Sequence, residues 1–162
     1  MSSGGPREQA VEIRLAGPGD RRAIEALTEE AYRPYTEMFG APPIPVTEDY
    51  GPHIAAGDVW LLESGERLAG VIVLENQPDH LMIFSVAVSP HFQGKGFGIR
   101  LLRWAEGRAR AAGLLEVRLY TNARMEKNIA LYSAFGFTET GRRANPMRPG
   151  WTLVDMAKRL EG

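Results

Sequence analysis

Residues 85–99 read SVAVSPHFQGKGFGI, in which an apolar strand, a glycine-rich loop and the first turn of a helix follow one another. Glycine at positions 94, 96 and 98 can adopt positive φ and let the backbone approach an anion closely. A helix that starts at the loop points its free N–H groups and the positive end of its dipole at the same place. The stretch therefore predicts a phosphate or pyrophosphate site built from Gln93, Gly94, Lys95, Gly96, Phe97, Gly98 and Ile99.

This loop differs from two common phosphate-binding loops. A Walker loop has Ser or Thr after its lysine, whereas Lys95 is followed by glycine. A dinucleotide-binding loop has another glycine spacing and normally follows a strand of an all-parallel sheet. A tight turn into a helix, with no ligand, is the alternative that the loop alone leaves open.

Apolar periodicity predicts the elements on either side. A helix is expected from Asp20 to Tyr32, where Pro34 makes continuation unfavourable. The proline-rich residues 33–52 predict a long loop with room for a short helix. Further strands are expected at 11–15, 58–63, 67–75, 81–88, 114–121, 137–141 and 151–158, and further helices at 98–112 and 125–135. This order predicts an α/β fold with a sheet of mixed direction, because its strand–helix–strand units need parallel neighbours.

Length and composition exclude several classes of protein. The 162 residues predict one domain, residues 11–162, after a flexible segment at residues 1–10. A formal net charge of −1 gives no basic field for nucleic acid, and the absence of cysteine excludes an acyl-cysteine intermediate. No apolar run approaches membrane-spanning length, and no two histidines are spaced as metal ligands. We therefore expect a cytoplasmic protein with no metal and no membrane or nucleic-acid partner.

A second segment, residues 128–137, reads NIALYSAFGF. Asn128 and Tyr132 stand four residues apart, so that both lie on one face of a helix. This segment resembles the second signature of the GCN5-related N-acetyltransferase (GNAT) superfamily. Residues 93–98 resemble that family's acyl-CoA signature, Q/R-x-x-G-x-G/A, and the order of elements resembles the family over nearly the whole chain.

The resemblance implies a fold and a co-substrate. The sheet would be mixed but mostly antiparallel, with about six to seven strands, about four helices and a splay between the fourth and fifth strands. The co-substrate would be acetyl-CoA or another acyl-CoA. Backbone groups of Val86 and Val88 would pair with its pantetheine amides, and Asn128 would hydrogen-bond the pantetheine arm or a phosphate.

Tyr132 matches the family's tyrosine, which protonates the departing CoA thiolate. A tyrosine that packs in the core with its hydroxyl at the edge is the alternative. Asn128 could likewise be an ordinary polar residue in the first turn of a helix.

The general base is not evident. Many relatives carry a glutamate in the strand before the glycine loop, but residues 81–85 read LMIFS. The nearest substitutes are Glu75, at the end of the preceding strand, and His80, at the entry to the next, either of which could act through water. Both could also be solvated hairpin residues.

The acceptor is not identified by the sequence. Tyr32, Tyr35, Phe39 and the proline-rich segment predict a partly apolar acceptor pocket. Asn122 follows a strand where the family's active site opens. The acceptor would be the amine of a small molecule, a peptide or a protein. A non-catalytic acyl-CoA sensor is the alternative, and residues 151–154 could serve as core or as the interface of a homodimer.

Overall fold

The computed structural model describes residues 10–161, so residues 1–9 of the expected flexible segment lie outside the described residues. The strands are β1 (Val11–Leu15), β2 (Val59–Ser64), β3 (Arg67–Asn76), β4 (Leu81–Val88), β5 (Glu116–Asn122), β6 (Thr138–Ala144) and β7 (Thr152–Arg159). The helices are α1 (Arg21–Phe39), α2 (Ile44–Thr47), α3 (Tyr50–Ala55), α4 (Phe97–Ala111) and α5 (Glu126–Phe135).

The seven strands form one sheet in the order β1-β2-β3-β4-β5-β7-β6. All neighbouring strands are antiparallel except β4 and β5, which are parallel and joined through α4. The expected mixed, mostly antiparallel sheet is therefore confirmed. No helix within residues 10–161 is both long and apolar enough to cross a membrane.

The two parallel strands separate after three pairs of residues. Pairing between β4 and β5 ends at Ile83 and Leu119, so within residues 10–161 the second half of β4 pairs with β3 alone. This is the predicted splay. At the same place β4 contains a bulge, because Val73 faces Ser85 while the next residue of β3 faces Ile83, which leaves Phe84 as the extra residue.

The bulge changes which face of the sheet each side chain occupies. Before it, Ile83 points into the core under α4; beyond it, Ala87 points into the core under α1. Val86 and Val88 then point to the α4 side. The splayed half of β4 thus has its own alternation of faces, set by one extra residue.

The prediction that α1 ends at Tyr32 is wrong, since the helix continues to Phe39 with Pro34 inside it. Proline in a helix costs roughly 3 kcal/mol because it lacks an N–H and crowds the preceding turn. Aromatic packing continues beyond it, with the Tyr35 ring centroid 6.4 Å from that of Tyr32 and 5.8 Å from that of Phe39. The helix ends where Gly40, at φ +76°, donates its N–H to Thr36 O.

The rest of the proline-rich segment is more ordered than a long loop. It forms the short helices α2 and α3, and Tyr50, almost fully buried, donates its hydroxyl to Pro45 O at 2.6 Å. Near the other end of the chain, Leu153 and Val154 are buried and belong to the core. β6 forms one of the two edges of the sheet, opposite β1, and is mostly exposed.

Candidate active site

The glycine loop has the backbone conformation that an anion site needs at two of its three glycines. Gly94 and Gly96 have φ of +80° and +78°. The expectation of positive φ is wrong for Gly98, which lies inside α4. A Cβ there would lie 3.6 Å from Leu131 Cδ2 on α5, an ordinary van der Waals contact.

Free N–H groups gather at the start of α4. The first intrahelical bond runs from Arg100 N to Gly96 O at 3.1 Å, so the N–H groups of Phe97, Gly98 and Ile99 precede it and have no intrahelical acceptor. The Phe97 side chain is buried and its ring lies 6.0 Å from that of Phe92, which anchors the helix start to the core. Phe97 therefore contributes its backbone to the site and its ring to the fold.

The splayed half of β4 offers backbone groups to the gap beside it. Ser89, just after β4, donates its N–H to Ala69 O of β3 at 2.8 Å. Because backbone groups alternate in direction along a strand, those of Val86 and Val88 point the other way, into the gap. Tyr32 of α1 confirms this direction, since its hydroxyl donates to Val86 O at 3.4 Å.

Asn128 and Tyr132 share one face of α5, as their spacing predicts. Tyr132 is only 6% exposed, its ring packs edge-on against Phe137, and burial raises the pKa of its phenol. The hydroxyl of Tyr132 has no hydrogen-bond partner within residues 10–161. The Asn128 amide is half-buried and lies 3.7 Å from the Met125 sulfur.

Two spaces meet at the splay. A broad cleft of about 620 Å³ runs along the glycine loop and between α4 and α5. An inner cavity of about 50 Å³, mostly apolar, lies on the other side of the gap between β4 and β5. Tyr32, Val86 and Tyr132 line both spaces, so a reactive group that lies between them contacts these three residues.

The broad cleft collects almost all of the residues that the sequence assigns to a cofactor. Those lining it are Val86, Val88, Gln93, Gly94, Gly96, Phe97, Gly98, Ile99 and Asn128, while Lys95 is exposed at its rim without lining it. Arg124 and Lys127 line the cleft as well, beside Glu126, so positive charge exceeds negative charge at this end of the cleft. These two cations stand in the turn before α5 and its first turn, in a segment without a distinctive pattern.

The three expected acceptor residues are distributed differently. Asn122 lines the inner cavity, and its side-chain oxygen accepts the Arg124 N–H at 2.8 Å, which ends β5 in a tight turn. Tyr35 lines the broad cleft rather than the cavity. Phe39 lines neither space; its ring packs against Trp151 at 5.1 Å, and Arg124 lies over it at 4.7 Å.

Further walls of the inner cavity are Tyr32 and residues 43–45, from the region that the sequence associates with an acceptor pocket. Ser85, Tyr120 and Trp151 also line it, and the sequence did not assign them to the acceptor. Arg148 holds two of these parts together, since its guanidinium donates to Pro42 O at 3.0 and 3.1 Å and lies 5.9 Å from the Trp151 ring. Only the folded chain brings these segments together.

Neither candidate base lines the cleft or the cavity. His80 lies at the closed end of the β4–β5 pair, with its Nδ1 2.7 Å from an Asp79 oxygen. Glu75 lies at the end of β3, 3.8 Å from His53 Nδ1, and burial raises the pKa of its carboxyl. His53 also approaches Glu48, with Nε2 2.6 Å from a carboxylate oxygen.

Comparison with known proteins agrees with this geometry. The model of the acetyltransferase (GNAT) family matches residues 24–137. The chain is 31% identical over 84 residues to the ribosomal protein bS18-alanine N-acetyltransferase of Salmonella typhimurium, covering 52% of this chain and 57% of that protein. It is 34% identical over 82 residues to the mycothiol acetyltransferase of Corynebacterium glutamicum, covering 50% of this chain and 28% of that protein. The chain thus spans about half or less of the length of the curated relatives it matches.

A solved structure has the same fold. The PaiA N-acetyltransferase of Thermoplasma acidophilum, solved in complex with coenzyme A, superposes with a TM-score of 0.73 at 20% identity over 93% of this chain and 99% of that one. The match of the family model covers well over half of the chain and contains the glycine loop, the splay and α5. This chain belongs to the acetyltransferase (GNAT) family.

Proposed function

We propose that the protein is an N-acetyltransferase that moves an acetyl group from acetyl-CoA directly to a primary amine. The observation that carries the proposal is the meeting of the broad cleft and the inner cavity at Val86 and Tyr132. An acyl-CoA thioester that enters from the cleft and an amine that enters from the cavity reach each other there.

The cleft suits each part of acetyl-CoA. The loop glycines let the backbone approach a pyrophosphate, and the free N–H groups of Phe97, Gly98 and Ile99 donate hydrogen bonds to it. The dipole of α4 adds partial positive charge at the same place. Arg124, Lys127 and Lys95 add positive charge nearby. The inward-facing backbone groups of Val86 and Val88 hydrogen-bond an extended pantetheine arm as a further strand would, and Asn128 hydrogen-bonds the arm from α5.

Transfer needs no covalent enzyme intermediate. The neutral amine attacks the thioester carbonyl carbon, and the Val86 N–H stabilises the oxyanion that forms. The C–S bond then breaks, and Tyr132 donates a proton to the departing sulfur. Because burial raises its pKa, Tyr132 stays protonated throughout the physiological pH range and remains a donor.

The amine must also lose a proton, since an alkylammonium has a pKa near 10 and cannot attack. Glu75 and His80 remain the proposed bases, each acting through water because neither lines the cavity. A raised pKa suits a carboxylate to this work, and Glu75 has one because of its burial. This favours Glu75.

The acceptor is proposed to be the amine of a small molecule, a peptide or a protein. The names of the relatives support this range, since one is named for an alanine of a ribosomal protein and another for mycothiol. Asn122 would orient the acceptor or a water from the cavity wall, and Tyr35 would contact the acceptor from the cleft. Phe39 would support Trp151, the cavity wall against which its ring packs.

The experiment is a transfer assay with acetyl-CoA against small amines, aminoglycosides and peptides with free N-termini. Free CoA should appear only when an amine is present, and mass spectrometry should find the acetylated amine. Tight acetyl-CoA binding by calorimetry, with no transfer to any acceptor class, would overturn the proposal in favour of an acyl-CoA sensor. Neither candidate base lines the cavity, and this observation supports the sensor as a second candidate function.

Two further expectations belong to the same proposal. The protein would work in the cytoplasm, without a metal. It would pair with a second copy through the exposed edge of β6, where backbone groups lack a neighbouring strand. Analytical ultracentrifugation tests the dimer, and a single monomer species at micromolar concentration would refute it.

A further inference from the structure

The inner cavity has no charged wall. Within residues 10–161, its lining contains no Asp, Glu, Lys, Arg or His, whereas Arg124, Glu126 and Lys127 line the broad cleft. Most of the cavity walls are aliphatic or aromatic side chains. An ion inside the cavity would lose its hydration and gain no opposite charge in return. The part of the acceptor that fills the cavity is therefore uncharged.

Two arginines lie close to the cavity but bind other partners. Arg143 lies over the Tyr120 ring at 5.2 Å, and its guanidinium forms an ion pair with Asp155 at 2.9 Å. Arg148 lies 5.9 Å from the Trp151 ring and is held by two hydrogen bonds to the proline-rich segment. Neither arginine lines the cavity, so neither is placed to pair with a carboxylate inside it.

Two asparagines give the cavity hydrogen-bond donors in fixed orientations. Asn122 Oδ1 accepts the Arg124 N–H at 2.8 Å, and Asn145 Oδ1 accepts the Met147 N–H at 2.9 Å. Because only the oxygen of an amide accepts a hydrogen bond, these contacts identify the other end of each amide as Nδ2. Both residues are only 6% exposed, and both line the cavity.

These two amides stand beside neighbouring walls and still have donors to spare. Asn122 faces Leu153 on β7, and Asn145 donates its backbone N–H to Trp151 O just before β7. Neither Nδ2 has a hydrogen-bond acceptor within residues 10–161. A buried donor without a partner is costly, so an oxygen of a bound acceptor would satisfy it. A second ammonium group would not, because it has no lone pair to accept with.

The cavity also limits the size of the group that it holds. Its volume is about 50 Å³, and one buried water needs roughly 10–15 Å³ of such space. There is room for roughly four water-sized groups, which is on the order of a short aliphatic chain with one polar end. A peptide chain that followed the reacting amine would exceed this space.

We propose that the acceptor is a short, neutral primary amine with one hydrogen-bond-accepting oxygen, which Asn122 and Asn145 bind while the amine lies at Val86. This inference rests on the proposed acetyl transfer. Amino amides and amino ethers have this chemistry. Amino acids and diamines do not, because each would bury a second charge among uncharged walls.

The test compares four short amines with similar chain lengths: ω-aminopentanamide, ω-aminopentanoate, α,ω-pentanediamine and hexylamine. Transfer rates are corrected for the fraction of each reacting amine that is unprotonated at the assay pH. We expect kcat/KM for aminopentanamide to exceed that for hexylamine by about tenfold, because hexylamine leaves the asparagine donors unpaired. It should exceed the values for the two doubly charged compounds by about 100-fold or more.

Asn145→Ser separates the amide donor from the turn that it stabilises. A serine hydroxyl can still accept the Met147 N–H, but it has no Nδ2 to offer the acceptor. The preference for aminopentanamide over hexylamine should fall several-fold, and as a ratio within one variant it is not lowered by partial unfolding. Asn76→Ser, at the exposed end of β3, is the matched control and should keep the preference. An unchanged preference in both Asn145→Ser and Asn122→Ser would overturn the inference.

Saturation-transfer NMR with coenzyme A in place of acetyl-CoA tests the cavity separately from transfer. Aminopentanamide should bind more tightly than aminopentanoate or pentanediamine, and Asn145→Ser should weaken its binding. This result would support the inference even if no amine were acetylated, in which case only the proposed function fails. Acetylation of aminopentanoate, pentanediamine or a tripeptide N-terminus with a kcat/KM equal to or above that of aminopentanamide would overturn the inference and leave the proposed function standing.

Discussion

The two sides of the splay are built in opposite ways. The cofactor side is local: six consecutive residues, Gln93 to Gly98, and the helix that follows present backbone N–H groups to one cleft. The acceptor side gathers side chains from α1, the proline-rich segment, β4, β5 and the β6–β7 loop around one small cavity. A backbone site of this kind tolerates sequence change around it, whereas the cavity changes with each of its side chains. One fold can therefore keep its cofactor and exchange its acceptor.

Tyr132 is where the two sides meet, and its loss should have the largest effect. In Tyr132→Phe the departing sulfur loses its proton donor, so kcat should fall by about 100-fold or more. Acetyl-CoA affinity by calorimetry should stay nearly the same, because the ring remains packed on Phe137. Unchanged turnover would remove Tyr132 from the chemistry and leave it a wall residue.

The wild-type pH profile tests the same residue. Because burial raises the Tyr132 pKa, the phenol should stay protonated at alkaline pH and produce no loss of kcat there. An ordinary tyrosine has a pKa of about 10 and begins to ionise in the range of roughly pH 8 to 10. A fall in kcat over that range that disappeared in Tyr132→Phe would contradict this prediction.

The next largest effect tests whether the cofactor side depends on backbone conformation. Gly96→Ala forces an L-residue to φ +78°, which costs roughly 1–2 kcal/mol and should raise the Kd for acetyl-CoA by about tenfold. Gly113→Ala is the matched control, since Gly113 has φ +75° at the end of α4 with equally open surroundings. It should lower Tm similarly and leave the Kd unchanged. Equal effects on the Kd would mean that the loop binds no phosphate.

Glu75 and His80 offer a smaller effect with a pH signature. A carboxylate base works only when deprotonated, so activity should fall as pH drops through the raised pKa of Glu75. Glu75→Gln should lower kcat by about tenfold at neutral pH and remove that acid limb. His80→Asn should leave the limb in place. If the fall in activity at acid pH disappeared in His80→Asn instead, His80 would be the base.

The smallest expected effect tests whether the acceptor cavity depends on contacts between segments that are far apart in the sequence. Arg148→Ala breaks two hydrogen bonds to Pro42 O and frees the proline-rich segment from the β6–β7 loop. The KM for the acceptor should rise about threefold with no change in acetyl-CoA affinity. Arg142→Ala is the control, because Arg142 pairs only with the exposed Glu139 on β6. Equal, unchanged KM values in both variants would show that the cavity does not need this link.

The same contrast explains which features the sequence could predict. The strand, the glycine loop and α4 are neighbours in the chain, so their juxtaposition could be predicted from residues 85–99 alone. The mostly antiparallel sheet and its splay followed from the resemblance. The end of α1 could not be predicted, because the penalty of Pro34 is local, while the packing of Tyr35 and Phe39 that offsets it depends on segments far along the chain.

The acceptor side was predicted least well for the same reason. Tyr32 reaches Val86 O across 54 residues, and Arg148 reaches Pro42 O across 106. No short motif records such pairs. The His53–Glu75 contact was equally hidden, since it joins α3 to the end of β3 and neither residue stands in a recognisable pattern.

The extra residue at Phe84 shifts the alternation of faces along β4, so that Ile83, Val86 and Val88 all face the α4 side. Removing it would leave residues 85–88 opposite the same residues of β3 and on the same faces, because Ile83 would still face Leu74 and Ser85 would still face Val73. An alignment with a strand that lacks the bulge therefore needs a gap at Phe84. A deletion of Phe84 alone would remove one wall of the inner cavity and leave the backbone groups of Val86 directed at the cofactor cleft.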